Sequence, residues 1–112
     1  MSTLDSINAH QYVYYGYTYV GDINGTINIK INTSSSVTIT SYNLSLNNAK
    51  GYGQRVDSSY LSPATGNPAK LYYNFSFEMK TSYIVTGYVP FHTIYYVYPD
   101  GHVTFNNDES MK

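Results

Sequence analysis

Apolar and polar residues alternate with period two over most of the chain, the pattern of strands that bury one face. The cleanest run is AKLYYNFSFEMK. It sets Ala69, Leu71, Tyr73, Phe75, Phe77 and Met79 on one side and Lys70, Tyr72, Asn74, Ser76, Glu78 and Lys80 on the other. A second run, INGTINIKI, opposes Ile23, Ile27, Ile29 and Ile31 to Asn24, Thr26, Asn28 and Lys30. In VTITSYNLSL the apolar set moves from odd positions (Val37, Ile39) to even ones (Tyr42, Leu44, Leu46), which predicts a β-bulge near Thr40 or Ser41. SYIVTGYV forms a further strand up to Pro90, whose missing amide donor marks a strand start or an edge. FHTIYYVY follows, is closed by the turn PDGH, and HVTFN returns beside it.

The segment YVYYGYTYV, residues 12–20, carries five tyrosines in nine positions. Tyrosine is apolar across its ring and polar at its tip, so its repetition suits surfaces that are both apolar and wet. Two turns offer to join this strand to the isoleucine strand: Gly21-Asp22 as type II′, or Asn24-Gly25 as type I′. Both give one parity. The isoleucine face then meets Tyr12, Tyr14, Thr18 and Val20, and Val13, Tyr15, Tyr17 and Tyr19 form an aromatic row on the opposite face.

The pattern totals six to eight short antiparallel strands without a helix, and predicts an all-β sandwich, with a small β-barrel as the alternative. One domain is expected over residues 1–112, with 1–10 and 107–112 frayed. Residues 47–68, NNAKGYGQRVDSSYLSPATGNP, are the least periodic stretch and read chiefly as a long loop, with room for a short strand around Gln54 to Tyr60.

Composition sharpens this picture. Tyr, Ser, Thr and Asn make up nearly half the chain, and helix formers are scarce. Charged residues are 12%, about half the usual quarter. Cysteine is absent, which excludes disulfides and thiolate metal sites. A net charge of −1 with six scattered basic residues offers no face for phosphate, so neither nucleic acid nor an anionic membrane is an expected partner. The start MSTLDSINAH shows no export leader, and no apolar run approaches a membrane span.

Candidate chemistry is sparse. His92 and His102 fall on the two arms of the last hairpin with Asp100 at its tip, where turn geometry is the simpler role. The acids are dispersed, and neither a nucleophile elbow nor a phosphate cradle is present. No catalytic residue, metal ligand or cofactor is therefore assigned. GYGQRVD, residues 51–57, places amide, guanidinium and carboxylate groups beside a flexible tyrosine. Tyr52, Gln54, Arg55 and Asp57 suit the hydroxyls of a sugar, or else Arg55 and Asp57 form a pair that pins the loop.

With Tyr15, Tyr17 and Tyr19 as a ring-bearing row, these residues predict a non-enzymatic, lectin-like protein that binds a glycan or glycoprotein and self-associates as a homo-oligomer through its tyrosine-rich strands. A structural subunit of a particle or filament is the alternative, and a lipid-headgroup or pore-forming module the second alternative.

Overall fold

A computed structural model describes residues 3–80 and 85–107. Eight strands form: β1 (Thr3–Tyr15), β2 (Thr18–Thr33), β3 (Ser36–Asn48), β4 (Gln54–Leu61), β5 (Thr65–Gly66), β6 (Ala69–Lys80), β7 (Val85–Val97) and β8 (Val103–Asn107). They pair antiparallel into two four-stranded sheets of order β1-β2-β3-β5 and β4-β6-β7-β8, packed face to face as a β-sandwich. Five of the strands are longer than expected, running 12 to 16 residues. The molecule is accordingly elongated, 58 × 24 × 22 Å, with a radius of gyration of 15.4 Å against about 13 Å for a compact chain of this length.

One core joins the sheets. The first contributes an aliphatic layer, Val13, Val20, Ile23, Ile27, Ile29, Val37 and Ile39, and the second a ring-rich layer built on Leu71, Tyr73, Phe75, Phe77 and Tyr95. Burial along β6 follows the predicted alternation, with Ala69 to Phe77 at odd positions sealed and Met79 half-buried. Polar contacts also tie the layers, two of them through side chains on both sides. Tyr42 and Ser59 hydroxyls meet at 2.7 Å, and Thr93 Oγ1 donates to the buried Gln11 Oε1 at 3.2 Å.

The predicted bulge in β3 is present. Asn28 pairs with Ser41 and Ile29 with Ile39, leaving Thr40 as the extra residue. Gln54 to Leu61 is the short strand allowed for within the long loop. Pro90 sits inside β7, in the half of that strand beyond its pairing with β8, which ends at Thr93–Asn107 among the described residues. It pairs with Ser76 on the other side, so its missing amide falls where β7 is locally an edge. Residues 82–84 of the expected strand lie outside the described residues.

Two expectations are corrected. Residues 3–10 are not frayed: they pair in register from Thr3–Ile31 to His10–Asn24, with Ala9 and Gln11 anchoring the strand in the core. The parity of β1 is also reversed. Val13 is buried at 1% exposure, whereas Tyr12 and Tyr14 are 56% and 51% exposed.

The cause is a turn earlier in the chain plus one extra residue. Tyr15 pairs with Thr18 around Gly16-Tyr17, and Gly16 has the positive φ of 64° that a tight hairpin requires at its first central position. From that turn alone, even positions of β1 would still face the isoleucines. However, Tyr14 pairs with Tyr19 and Val13 with Gly21, so Val20 is bulged out of the ladder and the remainder of the strand changes face. Gly21 beside it leaves room for Phe77, whose ring atoms would stand 3.0 Å from any added Cβ.

Candidate functional site

The tyrosine hairpin ends in two surfaces, one on each side of the first sheet. On the outer side, even positions of β1 and their partners on β2 hold the rings of His10, Tyr12, Tyr14 and Tyr19. Tyr12 and Tyr19 meet edge to face at 5.9 Å, Tyr14 and Tyr19 at 5.8 Å, and His10 and Tyr12 at 4.8 Å.

Beside the rings lies Asp22, one of whose carboxylate oxygens contacts His10 Nε2 at 3.0 Å while the other accepts from Asn47 Nδ2 at 3.0 Å. Desolvation pushes the Tyr19 phenol above its ordinary value, and the nearby charge of Asp22, then Tyr12 and Tyr14, push the same way. Four ionisable groups, three phenols and the Asp22 carboxylate, thus share one patch with the rings.

The three tyrosines expected in one row are separated. Tyr19 belongs to the outer platform. Tyr15 turns the other way and rests its edge on Phe91 of the second sheet at 6.2 Å. Tyr17 occupies the hairpin tip, fully exposed.

The residues of GYGQRVD are also divided. Gln54 Oε1 accepts the Asn48 amide at 2.7 Å. Arg55 Nε donates to Asp57 Oδ1 at 2.8 Å, and its guanidinium lies 4.3 Å from the centre of the Tyr88 ring. The other Asp57 oxygen accepts from Ser76 Oγ. Asp57 is itself the bulged residue of β4, since Val56 pairs with Phe75 and Ser58 with Asn74, and this pairing of side chains fastens the bulge to β6. Of the four, Tyr52 lines a cavity.

That cavity is the second surface. It encloses about 160 Å³ between the start of β2, the end of β6 and the loop joining β3 to β4. Its apolar lining is Val20, Phe77 and Met79, and its polar lining includes Lys50, Tyr52, Glu78 and Lys80. The loop is tied down around Asn48, which is 7% exposed. Asn48 Nδ2 donates to the carbonyls of Gly53 (3.0 Å) and Glu78 (2.9 Å), and Asn48 Oδ1 accepts the Lys50 amide (3.0 Å). The Gly53 amide donates to Glu78 Oε1 at 3.0 Å, and the Ala49 amide to the Val20 carbonyl at 2.9 Å.

Sequence reasoning missed Asn48, Lys50, Glu78 and Lys80, because the contacts that gather them span up to 30 residues. It missed the outer platform because the Val20 bulge leaves no mark in the apolar pattern.

The histidines do not converge. His92 Nδ1 meets Asn74 Oδ1 at 2.7 Å on β6. His102 pairs with Asp100 at the last turn and stacks on Tyr98 at 4.3 Å, about 20 Å along β7 from His92 at strand rise. The His102 amide, bonded to Asp100, holds that carboxyl below the usual carboxylate range, with help from the imidazole. This is the turn-geometry role. No family model matches the chain, and neither a curated protein nor a solved structure matches it.

Proposed function

We propose that the protein is a non-enzymatic, lectin-like β-sandwich whose outer tyrosine platform binds a neutral glycan or glycoprotein. The observation that carries this reading is the grouping of four rings beside an Asp22–Asn47 hydrogen-bonded pair on one face. Rings cover the apolar C–H faces of a pyranose, while phenol, carboxylate and amide groups bond its hydroxyls. Low charge suits an uncharged ligand.

Glycan-array binding tests it. The combined substitution of Tyr12 and Tyr19 by alanine is expected to weaken the best hit by roughly tenfold or more, about 1.4 kcal/mol. Arg55→Ala, remote from the platform, leaves that hit unchanged. Silence of the intact protein across a broad array of glycans and polysaccharides removes the proposal.

A second reading, assembly, rests on β1. Among the described residues this 13-residue strand pairs only with β2, contains no proline, and presents exposed Leu4, Tyr12 and Tyr14. Long edges with so few blunting devices invite pairing with another chain. The self-association expected of the lectin uses the same edge. Particle size measured on dilution separates the readings: small closed oligomers accord with the lectin, and open polymers with a structural subunit.

A further inference from the structure

The cavity under the Asn48 loop lies on the opposite side of β2 from the outer platform, and its chemistry is different. Two lysines, Lys50 and Lys80, are among its lining residues, against the single acidic residue Glu78. That carboxylate already accepts the Gly53 amide through Oε1. Lys80 Nζ stands 5.8 Å from the centre of the Tyr52 ring. The apolar surface open to a ligand is the half-buried Met79 and the ring of Tyr52, backed by Val20 and Phe77, which are sealed in the core.

Four backbone donors of the loop, those of Ala49, Lys50, Gly51 and Gly53, are engaged within the protein. The Lys50 amide bonds to Asn48 Oδ1, Gly51 to the Asn48 carbonyl, and Gly53 to Glu78. An anion here is therefore met by the lysine heads and not by a backbone nest. The volume, about 160 Å³, is close to the roughly 150 Å³ of a cavity known to take one benzene ring.

We propose that this pocket is a binding site for a compact monocarboxylate whose apolar body is about one ring in size. The ring lies against Tyr52 and Met79, over the sealed Phe77 and Val20, and the carboxylate faces Lys50 and Lys80. Because the loop is fixed by hydrogen bonds around Asn48, little ordering is required on binding.

The test uses the intact chain and three probes of one shape, benzoate, benzyl alcohol and benzylamine, in a backbone-amide NMR titration. Benzoate is expected to shift the amides of residues 48–53 and 78–80 saturably, at least tenfold more tightly than benzyl alcohol, with benzylamine weakest. Raising salt weakens benzoate alone. The double variant Lys50→Met/Lys80→Met loses the preference for benzoate while its melting temperature is unchanged. Absence of a saturable shift with benzoate, equal binding of benzyl alcohol, or tighter binding of benzylamine overturns the proposal. These comparisons are made on the unmodified protein, so they decide the matter even if the variant fails to fold. The glycan reading stands or falls separately, on the platform substitutions.

Discussion

The two sheets fill the core differently, although both carry rings outside: on the second, Tyr60 stacks on Tyr72 at 4.8 Å. In the second, Phe75 is stacked on Phe91 at 5.6 Å and meets Phe77 at 5.5 Å and Tyr73 at 5.8 Å, all within the sandwich. In the first, the inner face is aliphatic and the rings of Tyr12, Tyr14 and Tyr19 stand outside. Branched aliphatic side chains make a shallow layer that accepts the rings of the facing sheet, so the core is already filled without the tyrosines of β1 and β2. Their ring contacts are spent on the surface, where stability gains little. That difference leaves the outer rings of the first sheet outside the core.

The comparison is broken most forcefully from within. Phe75→Ala, at a wholly buried site, is expected to cost about 3–5 kcal/mol in urea unfolding. Tyr14→Ala is expected to cost about 1 kcal/mol or less. Comparable losses at the two positions would show that the outer rings are structural.

A middle-sized effect is expected where the sheets meet the loop. Asn48→Ala removes three side-chain hydrogen bonds and strands the Lys50 amide, while the Gly53 carbonyl keeps the Glu78 amide, costing about 1–3 kcal/mol. Hydrogen exchange at Lys50 should accelerate while amides in the middle of β2 and β6 keep their protection until global unfolding.

Much of the second sheet was legible in the sequence. Its longest uninterrupted run, β6, alternates from Ala69 to Phe77 because one face is sealed by large apolar side chains, and Pro99 to His102 mark a turn by their chemistry alone. The β3 bulge was legible because Ile39 and Tyr42 stand on either side of a visible slip in the apolar phase. The Val20 bulge was not. It lies among tyrosines, which serve either face, and next to Gly21, which has no side chain to show a phase. Residues 3–10 looked unpaired because Leu4, Ile7 and Ala9, the apolar residues there, do not alternate as one run, yet the β2 backbone satisfies them. The candidate pocket was illegible for a different reason: the long-range bonds of Asn48 and Glu78 have no local period.

A smaller effect is expected at Tyr95, whose hydroxyl is buried and has no hydrogen-bond partner among the described residues. Tyr95→Phe should be neutral or stabilising by up to about 1 kcal/mol at neutral pH. Burial, helped by the charge of Tyr73, pushes the Tyr95 phenol well above its ordinary value. The folded protein therefore keeps this proton at pH values where the unfolded chain has lost it. The contribution is full below about pH 10, the unfolded value, and is lost as pH rises through the folded one. Wild type should consequently lose stability relative to Tyr95→Phe above about pH 10, measured by denaturant unfolding in alkaline buffers. Equal alkaline profiles would mean that the phenol is solvated.

The smallest change in stability should accompany the clearest change in association. Tyr17 sits at the hairpin tip with its ring in solvent, and the left-handed backbone that the turn needs is supplied by Gly16. Lysine at position 17 keeps both conditions, so Tyr17→Lys is expected to alter unfolding free energy by no more than about 0.5 kcal/mol. The same substitution places a charge at the end of the β1 edge, where a second chain would have to bury it. Self-association measured by sedimentation on dilution should weaken severalfold. A large fall in melting temperature with unchanged association would invert the contrast between the sheets, placing the outward rings in the stability of the monomer.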